Sequence, residues 1–102
     1  MIKDTIKIAE EFSRYPAGRF DTDGPYSGEK FRREFLVPAM QEKKKICIDL
    51  DGVRGYGSSF LEEAFGGLVR VGFSAEDIFS LMTFHSSDPS LVIEIRDYIE
   101  HA

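Results

Sequence analysis

The stretch Ile46-Cys47-Ile48-Asp49-Leu50-Asp51-Gly52-Val53-Arg54-Gly55-Tyr56-Gly57-Ser58-Ser59-Phe60 decides how this chain is read. Ile46 to Leu50 is a nearly continuous apolar run with β-branched residues, the pattern of a strand buried on both faces and therefore central in its sheet. Asp51-Gly52 ends it, and the glycines that follow mark a turn. A helix is expected from Ser58 or Ser59 onward, with Phe60, Leu61, Ala64, Phe65, Leu68 and Val69 on its inner stripe. Gly66 and Gly67 cost that helix roughly 1 kcal/mol each relative to Ala. They therefore predict a close approach of the helix to the sheet.

A strand, a glycine turn and a serine pair opening a helix have a chemical consequence. Hydroxyl side chains at that point satisfy the N–H groups that a helix leaves without partners in its first turn. The same N–H groups, with the helix dipole, also receive an anion, including a phosphate attached to Ser58 or Ser59. Gly55 and Gly57 permit positive φ and let a partner surface approach the backbone. Arg54 is placed to pair with a phosphate or a partner carboxylate. Tyr56 is either a contact residue at the loop tip or a ring packed over the sheet edge.

Working outward, Thr5 to Ala9 alternates polar and apolar, as a half-buried strand does. Residues 15–28 contain Pro16, Gly18, Gly24, Pro25 and Gly28, too many breakers for a helix interior, with room for a short strand around Arg19-Phe20 hairpinned onto the first. Ser27 is an N-cap for a helix whose apolar stripe is Phe31, Phe35 and Leu36. Pro38 lacks an N–H and its ring collides with the carbonyl of Glu34, so the helix should kink or restart there, with Pro38 near the first position of a last turn through Gln41. Downstream, Ser74 with Asp77 caps a short helix over 75–79, residues 81–85 read as a strand, and Asp88-Pro89 opens a last helix with Leu91, Val92, Ile95, Tyr98 and Ile99 inward. Strand–helix–strand connections within one sheet imply parallel pairing. The expected fold is a single α/β domain over 1–102, a small sandwich with a four-stranded mixed sheet and helices mainly on one face.

Composition narrows the function. The chain has 102 residues, with 13 basic against 18 acidic side chains and a net charge of −5. That balance argues against a nucleic-acid partner, which needs clustered basic surface; Lys43-Lys44-Lys45 reads as a solvated turn. No stretch approaches the roughly 18 apolar residues of a membrane span. Met1 to Thr5 lacks the apolar core of a signal peptide. The lone Cys47 makes neither a disulfide nor a cysteine-based zinc site and reads as a buried thiol in a reducing cytoplasm.

The strand, turn and serine pair resemble the STAS domains (sulphate transporter and anti-sigma-factor antagonist). In those a central strand ending in Asp-Leu-x-x-Val leads to Asp-Ser-Ser-Gly and a helix. Here Asp49-Leu50-Asp51-Gly52-Val53 leads to Gly57-Ser58-Ser59-Phe60, with Gly57 where the family has Asp and Phe60 where it has Gly. A closer similarity is to a bacterial STAS-like group of unknown function. It rests on the run from Ser59 to Leu68, on Arg19 and on the Ser27-Gly28-Glu29 helix start, and it spans about Ile6 to Ile99. The resemblance implies a regulatory protein-binding domain and no enzyme. The implied partner is a GHKL-type kinase or ATPase, an anti-sigma factor, that phosphorylates Ser59, with Ser58 beside it. The implied contact surface is Arg54, Gly55, Tyr56, Gly57, Ser58, Ser59, Glu62 and Glu63, with no cofactor. Homodimerisation through a sheet edge is a further expectation.

Other chemistries fit less well. Gly55-Tyr56-Gly57 has neither the Lys-Ser/Thr of a phosphate loop nor a third glycine at dinucleotide spacing. An anion- or nucleotide-binding module using the N–H groups at 57–60 is the alternative reading. Glu62 and Glu63 lie about 100° apart on a helix and do not converge as an acid–base pair; one is expected to complement the helix N-terminus and the other to be solvated. Asp49 and Asp51 stand at a strand's carboxyl end, where ligands gather. With no His or Cys near them in sequence, no metal is expected and Asp51 reads as a turn cap. No Gly-x-Ser-x-Gly elbow accompanies His85, so no catalytic residue is assigned. Arg19, Arg70 and, as the alternative to its phosphate or carboxylate pairing, Arg54 are solvated or salt-bridged.

Overall fold

The alternation at the start of the chain produces a strand, but a short one. In the computed structural model, which describes residues 4–102, β1 covers Thr5–Lys7, β2 Ile46–Asp49 and β3 Met82–His85. Met1 to Lys3, part of the stretch read above for a signal peptide, lies outside the described residues. The strands form a sheet in the order β1-β2-β3, both pairings parallel, with Ile6 opposite Ile48 and Ile48 opposite Phe84. The central place of the Ile46 strand and the parallel pairing are as the sequence implies. Ile8 and Ala9 do not continue β1: the backbone turns into the short helix α1, Ile8–Glu11, and the Glu11 carboxylate accepts the Lys7 N–H at 2.8 Å.

The sheet has three parallel strands, not the four mixed strands expected. No strand forms at Arg19-Phe20, because its backbone groups are used elsewhere. The N–H groups of Arg19 and Phe20 donate to the Asp23 carboxylate at 3.1 and 2.8 Å, across a 3-10 turn at Asp21–Asp23. Gly18 has φ +92°, off any strand path. The carbonyls of Gly18 and Arg19 instead accept the N–H groups of Gly28 and Glu29, both at 3.0 Å. With Ser27 Oγ accepting from Lys30 N–H at 3.1 Å, the first turn of the next helix is fully capped.

That helix, α2, runs over 28–42. It is α-helical at Gly28–Phe31 and Val37–Glu42, with a π-helical segment at Arg32–Leu36 between them. The chain does not break at Pro38, but the α-helix restarts there as expected, with Pro38 the second residue of Val37–Glu42. Val37 N–H reaches five residues back to the Arg32 carbonyl, so the helix widens by one residue just before the proline. The next helix, α3, covers 58–70 with its own π segment at Glu62–Gly66, and α4 (Ala75–Leu81) runs directly into β3. The last helix, α5, is Pro89–Glu100, capped by Asp88 as expected. No helix among the described residues is long and apolar enough to cross a membrane.

The inner face of the sheet, Ile6, Ile46, Ile48 and Met82, is buried against Phe31, Phe60, Leu61, Phe65, Leu68, Ile95 and Ile99. Rings of Phe12, Phe31, Phe35 and Phe60 pack with centroids 5.1 to 6.1 Å apart, within the range of favourable ring contacts. The opposite face carries Thr5, Lys7, Cys47, Asp49, Thr83 and His85, all exposed or half-buried. The central strand is therefore buried on one face only, and Cys47 is a half-buried thiol, not a buried one. The period-two geometry of a strand turns Cys47 and Asp49 away from the helices whatever their neighbours' hydrophobicity.

Candidate functional site

The segment after β2 begins with Leu50, buried, and a turn whose positive φ falls at Gly52, +89°. Gly55 and Gly57 do not use left-handed backbone; Gly57 has φ −75° and ψ 146° and is the N-cap of α3. What they contribute is space. A side chain added at either would meet nothing within 4 Å. The backbone here lies open to solvent.

Ser58 and Ser59 occupy the first two helical positions and are exposed. Neither is a cap, and α3 has no side-chain cap at all. Ser27, Ser74 and Asp88 supply one to α2, α4 and α5 respectively. The N–H groups of Ser58, Ser59 and Phe60 and both serine hydroxyls meet no partner among the described residues. Arg54 is exposed beside them, its N–H bonded to the Arg14 carbonyl at 2.9 Å and its guanidinium unpaired among the described residues.

Tyr56 takes the packed alternative. Its hydroxyl donates to the Leu50 carbonyl at 2.8 Å, and its ring lies 6.2 Å from that of Phe60. Burial, with a smaller push from Asp49 and Asp51, holds the phenol well above its ordinary pKa, so it stays neutral.

Glu62 and Glu63 are not divided between helix terminus and solvent. Both enter one ion cluster. Glu63 accepts from Arg32 at 2.7 Å and from Arg19 at 3.2 Å; Glu62 accepts two bonds from Arg70 at 2.7 and 3.0 Å and one from Arg19. Hydrogen bonding to Arg70, opposed by desolvation and helped by Arg19, pulls the Glu62 carboxyl below its ordinary pKa. The glycines of this helix serve the cluster and the helix contacts, not an approach to the sheet. A β-carbon at Gly67 would overlap the Arg32 guanidinium, and one at Gly66 would lie 3.3 Å from the Tyr98 carbonyl oxygen.

Two features lay beyond the sequence reading. A cleft of about 370 Å³ opens beside the turn, between residues 50–56 and the start of α5, with Asp51, Ser86, Ser87, Asp88, Ser90 and Glu94 among its walls. The second feature follows from the register. Asp49 pairs with His85 across β2 and β3, so one ligand atom each of Asp49, Asp51 and His85 lies within 4.8 Å of the other two. Asp51 caps a turn as expected, but a distant one: it accepts the N–H and hydroxyl of Ser87 at 2.8 and 3.1 Å. The local turn is capped by Asp49, which accepts Asp51 N–H at 3.0 Å. Alternating sequence around 82–85 could have signalled that His85 shares the open face with Thr83, but not which strand it would meet.

Comparison with curated proteins and with solved structures gives no match. The family described as a STAS-like domain of unknown function (DUF4325) matches residues 27–91. Because that match runs from the Ser27 cap through the open serine turn to the first turn of α5, this chain belongs to the STAS-like domains of unknown function.

Proposed function

We propose that this chain is a regulatory protein-binding domain that offers residues 54–59 and the start of α3 to a partner, in the manner of the anti-sigma-factor antagonists it resembles. The observation that supports this reading is the uncapped, exposed start of α3, with two free hydroxyls above an open glycine backbone. The starts of α2, α4 and α5 each carry a side-chain cap, whereas that of α3, like that of the one-turn α1, does not. The partner is a GHKL-type kinase or anti-sigma factor, and Ser59 is the phosphate acceptor. A phosphoryl group adds about −1.5 to −2 charges. Glu62 and Glu63 are already matched by arginines, so the added charge acts on the partner directly and the fold need not move.

The test is pull-down from the native cell with Ser59→Ala, Ser59→Asp and Gly57→Leu variants, with mass spectrometry of residues 58–59. Ser59→Asp and Gly57→Leu should lose a kinase or ATPase that Ser59→Ala retains, while all three keep the far-UV spectrum of the natural chain. Equal capture by all the variants, with no phosphate found at 58–59, would overturn the proposal. The free N–H groups of Ser58, Ser59 and Phe60 also favour a second reading, an anion- or nucleotide-binding module. Phosphate, ATP or GTP at 100 times its Kd should then add about 2.7 kcal/mol to stability, measured by thermal shift.

A further inference from the structure

We infer that Asp49, Asp51 and His85 form a binding site for a divalent transition-metal ion of the zinc type at the carboxyl end of the sheet. This site is independent of the 54–59 surface. Three donors converge from two strands and the turn after β2, each within 4.8 Å of the others. The His85 Nε2 to Asp51 Oδ2 distance is 3.4 Å. Two donors bound about 2.1 Å from a tetrahedral zinc ion stand about 3.4 Å apart, so this pair already has the spacing of one coordination edge.

The carboxylates are oriented for the role. Asp51 Oδ1 is held by the N–H and hydroxyl of Ser87, which leaves Oδ2 toward His85. Asp49 Oδ1 is held by Asp51 N–H, and its other oxygen accepts no hydrogen bond among the described residues. Each aspartate thus has one oxygen anchored by an outer hydrogen bond and one that accepts none among the described residues, the Asp51 one lying toward His85, the arrangement that orients metal ligands. Asp49 caps the local turn through one oxygen, and its negative charge close to that of Asp51 favours a cation between them. An imidazole nitrogen with two carboxylate oxygens suits zinc, cobalt or nickel better than magnesium or calcium, which prefer oxygen alone. Three protein ligands leave further positions to water.

The experiment is calorimetric titration of the full chain with zinc chloride and, separately, magnesium chloride, alongside the visible spectrum of the cobalt-loaded protein. One zinc should bind in preference to magnesium. His85→Ala and Asp49→Asn should each weaken zinc by about tenfold or more, at least the loss seen when only an outer-shell partner is removed. His101→Ala, which removes the imidazole of the exposed His101–Asp97 pair, should bind as the natural chain does. Because His85 and Asp49 lie on the open face, circular dichroism should show the variants folded. No zinc binding at about 1 mM, a Kd too weak to matter, would overturn the site. So would unchanged binding in His85→Ala and Asp49→Asn, or its loss in His101→Ala.

Discussion

Glu63 and Arg32 keep only 9% and 12% of their side chains exposed, and each is the other's closest charged partner. Removing one partner from a buried pair leaves the other charge without compensation, so Glu63→Gln should destabilise the fold by about 3 kcal/mol. Arg33 and Asp21 pair at the same 2.7 Å, but at 53% and 47% exposure. Water and salt screen such a pair, and Arg33→Ala should cost under about 1 kcal/mol. Urea denaturation of both variants checks the contrast. Equal losses would mean that burial does not set the strength of these ion pairs. Sequence spacing alone suggests part of this cluster: Arg70 stands seven residues after Glu63, on the same helix face. Arg19 and Arg32 were not legible as its members, since they lie 44 and 31 residues away and only the packing of α2 on α3 brings them in.

At the scale of elements, α2 and α3 touch through backbone. A β-carbon at Gly28 would lie 2.5 Å from the Phe60 carbonyl oxygen and 3.1 Å from Ala64 N. Backbone cannot swing aside as a side-chain tip can, so Gly28→Ala must separate the two helices. A loss of about 2 kcal/mol or more is expected, in the range of overpacked cores, even though alanine favours helix. Gly55→Ala meets nothing and has no positive φ to lose, so its thermal midpoint should match the natural chain. The capping residues Ser27, Ser74 and Asp88 were all legible, because a cap acts over two or three residues of chain. The π segments were not. The one in α2 ends just before Pro38, and near-neighbour pattern does not show where a helix takes in the one extra residue of a π turn.

For the molecule as a whole, the ion cluster ties three parts of the chain together: the 15–27 loop through Arg19, α2 through Arg32, and α3 through Glu62, Glu63 and Arg70. Acid should loosen it. The Glu62 carboxyl is held below its ordinary 4.5, first by Arg70 and then by Arg19. Outside the cluster but on the same 15–27 loop, Asp21 is held below its ordinary 3.8, first by Ser27 and then by Arg33. A carboxylate whose pKa is lower folded than unfolded adds stability that is fully present above the unfolded value and is lost as pH falls through the folded one. The urea midpoint should therefore be flat on this account above pH 4.5 and fall below it. In Glu62→Gln that fall should be shallower. A midpoint rising in acid would contradict the cluster's role.

The same scale separates what the chain order determines from what packing decides. Hydrophobic period, caps and turn residues act between near neighbours, and they determined the inner stripes of α3 and α5, the parallel course of the strands and the hydroxyl-bearing start of α3. The number of strands was decided elsewhere. The 15–27 loop spent its backbone groups on capping α2, a use visible only once α2 stood beside it. The free face of the sheet was decided the same way. An apolar run shows that a strand wants cover, but whether helices lie on one side or both depends on where every crossover goes. That one-sided cover places Asp49 and His85 together in the open, because strand register joins residues that the sequence holds far apart.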